Sequence, residues 1–256
     1  MTRSTLLALG PRSLYIGPAF GLTAHTNTVS VLACGLDGLF TAASGDDGAA
    51  RTCRSAFIPA HTLHQLECGS TTMAFLYVDA LGLDDQRLRH TAALGTQAIA
   101  FSLPGESELI ALLARLAEPG DQRVALWGEL LDLLETHHEK HGDERIRRSV
   151  TRLARDPSAA NSLADLAAEV NLSESRYLHL FKTTTGVPLR RYRLWIRIGA
   201  AIRAIARGKN LTEAAIDAGF SSSAHFSFTF REMFGMAPST LAGIGVQYAR
   251  LPTREA

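Results

Sequence analysis

The sequence predicts a two-domain α+β fold, in which a small β-barrel and a helical linker precede an all-α domain. Two changes along the chain of 256 residues support this division, one in hydrophobic periodicity and one in charge. Over residues 13–79, short β-branched and aromatic runs alternate with turn residues, which is typical of a small barrel. From Glu106 onward, the apolar residues recur at helical spacing.

The charge of the chain is divided between its two halves. Residues 1–142 contain 9 Lys and Arg against 15 Asp and Glu, a net charge of −6, and residues 143–256 contain 17 against 10, a net charge of +7. A basic half beside an acidic half indicates that only the C-terminal half binds a polyanion.

Composition excludes several classes of protein. A hydrophobic content of 46% with a net charge of +1 excludes a disordered chain. No apolar stretch approaches the roughly 20 residues that span a bilayer, and the N-terminal residues lack the pattern of a secretory signal. Three cysteines are too few for a disulfide framework. These features predict a cytoplasmic protein with no membrane partner.

The first half contains four predicted strands and two predicted helices. The strands lie at residues 28–32, 38–41, 55–58 and 73–78, and the first helix ends at Pro119-Gly120. The second helix has a narrow apolar face between residues 124 and 134, which exceeds what a small barrel needs and predicts a homodimer contact. We expect the helices within residues 106–139 to be the only route from this half to the next, across a polar linker near residues 141–143.

The second half is helical in pattern over residues 144–241. Two capping boxes mark helix starts, Ser162 with Asp165 and Asn210 with Glu213. Pro188 and Gly208 delimit a longer helix between them.

An internal repeat organises this basic half. The segment SESRYLHLFKTTTG at residues 173–186 matches SSAHFSFTFREMFG at residues 222–235, so that Phe181 and Phe230 are equivalent at an offset of 49. Each copy follows a short Ala-rich helix and a tight turn, which predicts two helix-turn-helix units at residues 163–184 and 211–234. In each copy an aromatic pair is spaced to face a core, namely Tyr177 with Phe181 and Phe226 with Phe230. A helical bundle with an ordinary basic surface does not account for two copies with matching caps.

The segment GFSSSAHFSFTFREMFGMAPS at residues 219–239 is very similar to the second helix-turn-helix of the AraC/XylS family of bacterial transcription regulators. That family has two helix-turn-helix units joined by one long helix, which residues 192–201 resemble. The resemblance covers residues 144–241. It implies binding to double-stranded promoter DNA, with RNA polymerase as a further partner.

The resemblance also implies which side chains face DNA. Short serine side chains let a helix approach base edges, and Lys182 and Arg231 are placed to reach phosphates. Many family members have arginine where His179 and Phe228 stand, so Phe228 could contact a thymine methyl group instead of a guanine. The implied set is Glu174, Ser175, Leu178, His179 and Lys182 in the first recognition helix, and Ser223, Ala224, Ser227, Phe228 and Arg231 in the second.

The N-terminal half resembles a cupin-type sensing domain of the same regulators. Residues 56–64 look like the proline-to-histidine turn of a cupin, and His25 stands where the first cupin motif begins, with Asn27 in place of its second histidine. We therefore expect His25, His61 and His64 to orient an unidentified small-molecule effector, without a cofactor, and leave a metal ion on these histidines as the alternative. The expected apolar lining is Phe57, Ile58, Phe75 and Tyr77.

These observations predict four segments: a cupin-like barrel at residues 1–103, a helical dimerisation linker at 104–142, a DNA-binding domain at 143–243 and a tail at 244–256. We expect residues 143–256 to fold alone. The predicted function is sequence-specific transcription regulation under small-molecule control, without enzymatic activity. Two alternatives stay open, namely a cupin-type metal-dependent enzyme with an accessory basic domain and an effector-independent DNA-binding regulator.

Overall fold

A computed structural model describes residues 4–9, 12–19, 22–45, 50–78, 88–89, 98–134, 143–159, 161–243 and 247–250. The chain forms two compact units. The N-terminal unit comprises Met1–His138 together with Arg231–Ala256, and the helical unit comprises Glu139–Phe230. Residues 231–256 therefore belong with the first half of the chain, which the sequence pattern does not indicate.

The N-terminal unit contains two β-sheets. A seven-stranded sheet has the order β10-β7-β4-β9-β2-β1-β11, and a four-stranded sheet has the order β3-β8-β5-β6. Neither sheet closes on itself within the described residues, so the predicted closed barrel is not found there. The strands are β1 (Thr5–Leu9), β2 (Arg12–Pro18), β3 (Leu22–Thr26), β4 (Val31–Gly35), β5 (Phe40–Ser44), β6 (Arg51–Cys53), β7 (Ser55–Ile58), β8 (Leu63–Glu67), β9 (Thr72–Tyr77), β10 (Ala100–Phe101) and β11 (Gln247–Arg250).

Strand β11 lies in the segment that the sequence assigns to a tail. It pairs in parallel with β1, with Thr5 opposite Gln247 and Ala8 opposite Arg250. The other strand pairs are antiparallel, as expected for strands joined by short turns. A fragment of residues 143–256 would lack the partner strand of β11, which argues against the expectation that it folds alone.

Two helices, α1 (Glu106–Ala117) and α2 (Arg123–Leu134), complete the core of the N-terminal unit. Their apolar faces join the buried side chains of the seven-stranded sheet in one cluster that includes Leu113, Trp127 and Leu130. The seam that predicted a homodimer contact is therefore largely used within the chain, because seven strands offer more apolar surface than the small barrel assumed from the sequence. Val124 remains half exposed, and the side chain of Leu134 and residues 135–142 lie outside the described part of the chain.

The C-terminal half contains seven helices among the described residues. They are α3 (Glu144–Arg155), α4 (Leu163–Glu169), α5 (Glu174–Thr185), α6 (Leu189–Ala206), α7 (Leu211–Asp217), α8 (Ser223–Phe234) and α9 (Pro238–Gly243). Helix α8 begins in the helical unit, and its last turn and α9 belong to the N-terminal unit. Of the helices that the structure describes, none is long and apolar enough to cross a membrane.

Candidate functional site

The first helix-turn-helix unit consists of α4, a turn and α5. A capping box starts α4, because Ser162 Oγ accepts a hydrogen bond from Asp165 N at 3.0 Å while Ser162 N donates to the Asp165 carboxylate at 3.2 Å. Asn171 turns the chain with a φ of 54°, and Ser173 Oγ caps α5 by accepting from Arg176 N at 3.3 Å.

The second unit, α7 and α8, is built in the same way. Asn210 and Glu213 form the capping box of α7, and Ser222 Oγ accepts from His225 N at 3.1 Å at the start of α8. The turn contains Gly219 at a φ of +85°, where an added Cβ atom would lie 3.0 Å from the Cα atom of Ser158. The predicted caps therefore occur in both units.

The aromatic pairs face inward as the sequence predicts. Tyr177, Phe181, Phe226 and Phe230 are all fully buried. Phe181 meets Tyr192 of α6 at a ring-centroid distance of 5.6 Å, and Phe226 meets Phe230 at 5.7 Å. These rings fix the rotation of α5 and α8, so that one face of each recognition helix is turned away from the core.

Most of the residues implied to face DNA lie on those outward faces. Phe228 is 66% exposed, which is unusual for so large an apolar side chain and is consistent with a contact surface. Ser223 and Ser227 are half-buried, and the other eight are exposed: Glu174, Ser175, Leu178, His179, Lys182, Ala224, Phe228 and Arg231.

The arginines of α6 contribute to the fold of the helical unit. Arg197 Nε donates to the backbone oxygen of Pro157 at 3.1 Å, and the Arg193 guanidinium donates to the backbone oxygen of Asn161. Both bonds hold the segment that leads into α4. The basic pattern of α6 is therefore partly structural.

Two of the three predicted effector-site histidines lie together in the N-terminal unit. The rings of His25 and His64 are 4.2 Å apart between centroids, and both side chains are buried. Their Nδ1 atoms donate to Thr23 O and Thr62 O, each at 2.8 Å. His61 is instead exposed, with a φ of 66°.

Asn27, which replaces a histidine of the cupin motif, belongs to this cluster. Its Nδ2 atom lies 3.3 Å from His64 Nε2, and its Oδ1 atom is buried without a hydrogen-bond partner in the described part of the chain. In the same residues, no three His, Cys, Asp or Glu side chains lie close enough together to hold a metal ion.

Burial keeps the two histidines neutral and makes the N-terminal unit sensitive to acid. Burial lowers the pKa of His25, and burial followed by the neighbouring His25 lowers the pKa of His64 to about 4. Between the ordinary histidine pKa of about 6.5 and that value, the unfolded chain binds more protons than the folded chain, so stability falls as the pH falls.

We expect acidification from pH 7 to pH 4.5 to cost roughly 2–3 kcal/mol through His64. The His64→Gln variant should lose less stability over this interval than the original protein, as measured by urea unfolding at both pH values. His61→Gln removes an exposed histidine and is the matched control. An equal loss in all three proteins would contradict the role of His64.

A groove of about 490 Å³ lies along β3 and β8, the strands that carry His25 and His64. Phe57 and Ile58, which the sequence placed in the effector pocket, lie instead in the core. The groove combines apolar side chains with the carboxylate of Glu67. Its lining includes Ala19, Leu22, Thr23, Leu66, Glu67 and Cys68.

The last turn of α8 is hydrogen-bonded to β3 inside the N-terminal unit. Gly235 O accepts from Thr23 N at 3.2 Å and from Thr23 Oγ1 at 3.0 Å. Phe234 packs edge-on against Tyr77 at 5.4 Å between ring centroids. Gly235 has a φ of +66°, and an added Cβ atom would lie 2.5 Å from Thr23 O and 2.7 Å from His25 Nδ1. The sequence carries no local signal of this contact, since its partners are more than 200 residues apart.

Comparisons with known proteins agree with the architecture. A family model described as a helix-turn-helix domain matches residues 166–243. The probable transcriptional regulator LumQ of Photobacterium leiognathi is 38% identical over 79 residues, which are 30% of this chain and 32% of LumQ. The chain thus matches about a third of the length of this curated relative.

Solved structures of ToxT from Vibrio cholerae have a similar fold. An apo variant has a TM-score of 0.62 at 14% identity, with coverage of 91% of this chain and 97% of that chain. Wild-type ToxT bound to an unsaturated fatty acid has a TM-score of 0.58 at 14% identity, with coverage of 91% and 95%.

Two helix-turn-helix units joined by one long helix define a class of DNA-binding domain. Residues 166–243 belong to the helix-turn-helix domain family, and the domain is of the AraC/XylS type that the sequence resemblance predicted.

Proposed function

We propose that the protein is a sequence-specific DNA-binding transcription regulator of the AraC/XylS type, and that a small molecule bound in its N-terminal unit controls it. The observation that carries the proposal is the pair of recognition helices with buried aromatic inner faces and exposed outer faces. Each such helix is suited to one segment of the major groove, so one chain would contact two segments about one helical turn apart.

The effector would bind in the groove along β3 and β8. Its lining is mostly apolar, with few polar groups to orient a ligand, and the buried His25–His64 pair lies on the same two strands. We expect an uncharged or weakly acidic, mostly apolar molecule that is bound without being converted. The fatty-acid complex of ToxT, which shares the fold, supports this choice of ligand class.

Control of DNA binding would pass through the last turn of α8. Thr23 both lines the groove and hydrogen-bonds to Gly235 at the end of this recognition helix. The helices at residues 106–139 are thus not the only route between the two functions. A ligand in the groove acts only if it binds more tightly when Gly235 is docked than when it is released, or the reverse.

Two further partners stay predictions from the sequence. A homodimer has less support than the apolar seam first indicated, because Trp127 and Leu130 are buried in the N-terminal core. RNA polymerase as a partner follows from the resemblance alone.

Oleic acid tests the effector proposal. We expect saturating oleate to change the affinity of the full chain for its preferred DNA by at least about fivefold, the lower end of typical coupling. Ala19→Trp should remove this response by filling the groove, and Ala125→Trp, at an exposed position of α2, is the control. A response that survives in Ala19→Trp would contradict the location of the site.

A further inference from the structure

An ordered cluster lies at the start of α8 and includes a residue outside the implied DNA-facing set. His225 Nδ1 lies 3.0 Å from Ser221 Oγ. The ring of Phe220 meets the imidazole edge-on, with 5.3 Å between centroids and an interplanar angle of 82°. Phe220 is buried, whereas Ser221 and His225 are exposed. The orientation of an exposed imidazole is therefore fixed by its neighbours.

The hydrogen bond to Ser221 determines what the ring offers to a ligand. When the Ser221 hydroxyl donates to Nδ1 of the neutral ring, the proton of the ring is on Nε2. When the ring is doubly protonated, Nδ1–H donates to Ser221 Oγ and Nε2 still carries a proton. In both cases Nε2–H is the outward donor of His225.

The place of His225 on α8 indicates which part of DNA it meets. Phe226 faces the core, and Ala224 and Phe228 lie on the opposite side of the helix. His225 is about 100° around the helix from Ala224, on the flank next to the turn. Flanks of a recognition helix meet the phosphates that border the groove, while its central face meets base edges.

The repeat supplies an independent indication. At the offset of 49 residues, the counterpart of His225 is Arg176, which is also exposed and also donates its backbone N–H to the capping serine. Both recognition helices thus have a basic side chain at the same flanking position.

We propose that His225 is a DNA-contact residue that donates from Nε2 to a backbone phosphate oxygen, and that Ser221 is the residue that positions it. The proposal rests on the proposed function, since it requires that α8 enters the major groove.

Binding by the full chain to two duplexes of about 30 bp tests the proposal. One duplex carries the sequence most enriched from a random pool, and the other has the same composition in scrambled order. His225→Ala should weaken binding to both duplexes alike, by roughly three- to tenfold. His225→Arg, which copies Arg176, should bind at least as tightly as the original protein.

Ser221→Ala separates positioning from stability. It should weaken binding by roughly two- to threefold when His225 is present and have no effect in the His225→Ala background. Ser222→Ala removes the helix cap instead, so it should lower the melting temperature without this dependence on His225.

Three outcomes would overturn the proposal: an unchanged affinity in His225→Ala, a changed base preference with no loss on the scrambled duplex, or an equal effect of Ser221→Ala in both backgrounds. Loss of all DNA binding by the original protein would instead refute the proposed function.

Discussion

Replacing Gly235 with alanine is expected to destabilise the N-terminal unit by about 3 kcal/mol. About 1 kcal/mol of this comes from the left-handed backbone at Gly235, whose φ is +66°. The remainder comes from the new Cβ atom, which would lie 2.5 Å from Thr23 O and 2.7 Å from His25 Nδ1, so that β3 and the end of α8 must separate.

Gly186 is the matched control for this substitution. It is the equivalent residue of the repeat and has nearly the same φ, +71°, but an added Cβ atom would have no neighbour within 4 Å. We therefore expect Gly186→Ala to cost only about 1 kcal/mol. Urea unfolding of both variants measures the difference. Equal costs would contradict the docking of Gly235 on β3, and an unchanged oleate response in Gly235→Ala would contradict the proposed coupling route.

The double variant Lys182→Ala/Arg231→Ala is expected to bind all DNA sequences more weakly, by roughly 10- to 100-fold at low salt. Both cations lie on the exposed faces of recognition helices. If each neutralises one phosphate, the slope of log affinity against log salt should fall by about two units. Titrations of preferred and scrambled duplexes at several salt concentrations measure both quantities.

Two single variants serve as controls. Arg115→Ala also removes an exposed cation, but one that is paired with Glu129 in the N-terminal unit, so the salt slope should not change. Ser175→Ala removes a hydroxyl from the first recognition helix and should relax the preference at one or two base pairs, with the salt slope intact. An unchanged slope in the double variant would show that Lys182 and Arg231 do not contact phosphates.

The helical part of the chain was predictable because its signals are local. Ser162 and Asn210 lie within four residues of the groups that they cap, and Phe226 and Phe230 lie one helical turn apart. The repeat then doubled each observation. The contact of Ser221 with His225 also spans four residues, but it was missed because neither residue belongs to the set implied by the family resemblance.

The N-terminal unit was predicted less well because its organisation depends on pairings distant in sequence. Short strands were recognised, but neither the two-sheet arrangement nor the pairing of β1 with β11 follows from local patterns. The same applies to Thr23 and Gly235. The predicted dimer seam shows the consequence, since Leu130 has no reason to look buried until a seven-stranded sheet is available to cover it.

Selection from a random DNA pool by the full chain tests the central claim most directly. The account predicts enrichment of one sequence with two conserved segments whose centres are about one helical turn apart, because two recognition helices of one chain read successive major-groove segments. Substitutions in α5 should alter one segment and substitutions in α8 the other. Retention of DNA without any enriched sequence would contradict the assignment of the protein as a sequence-specific regulator.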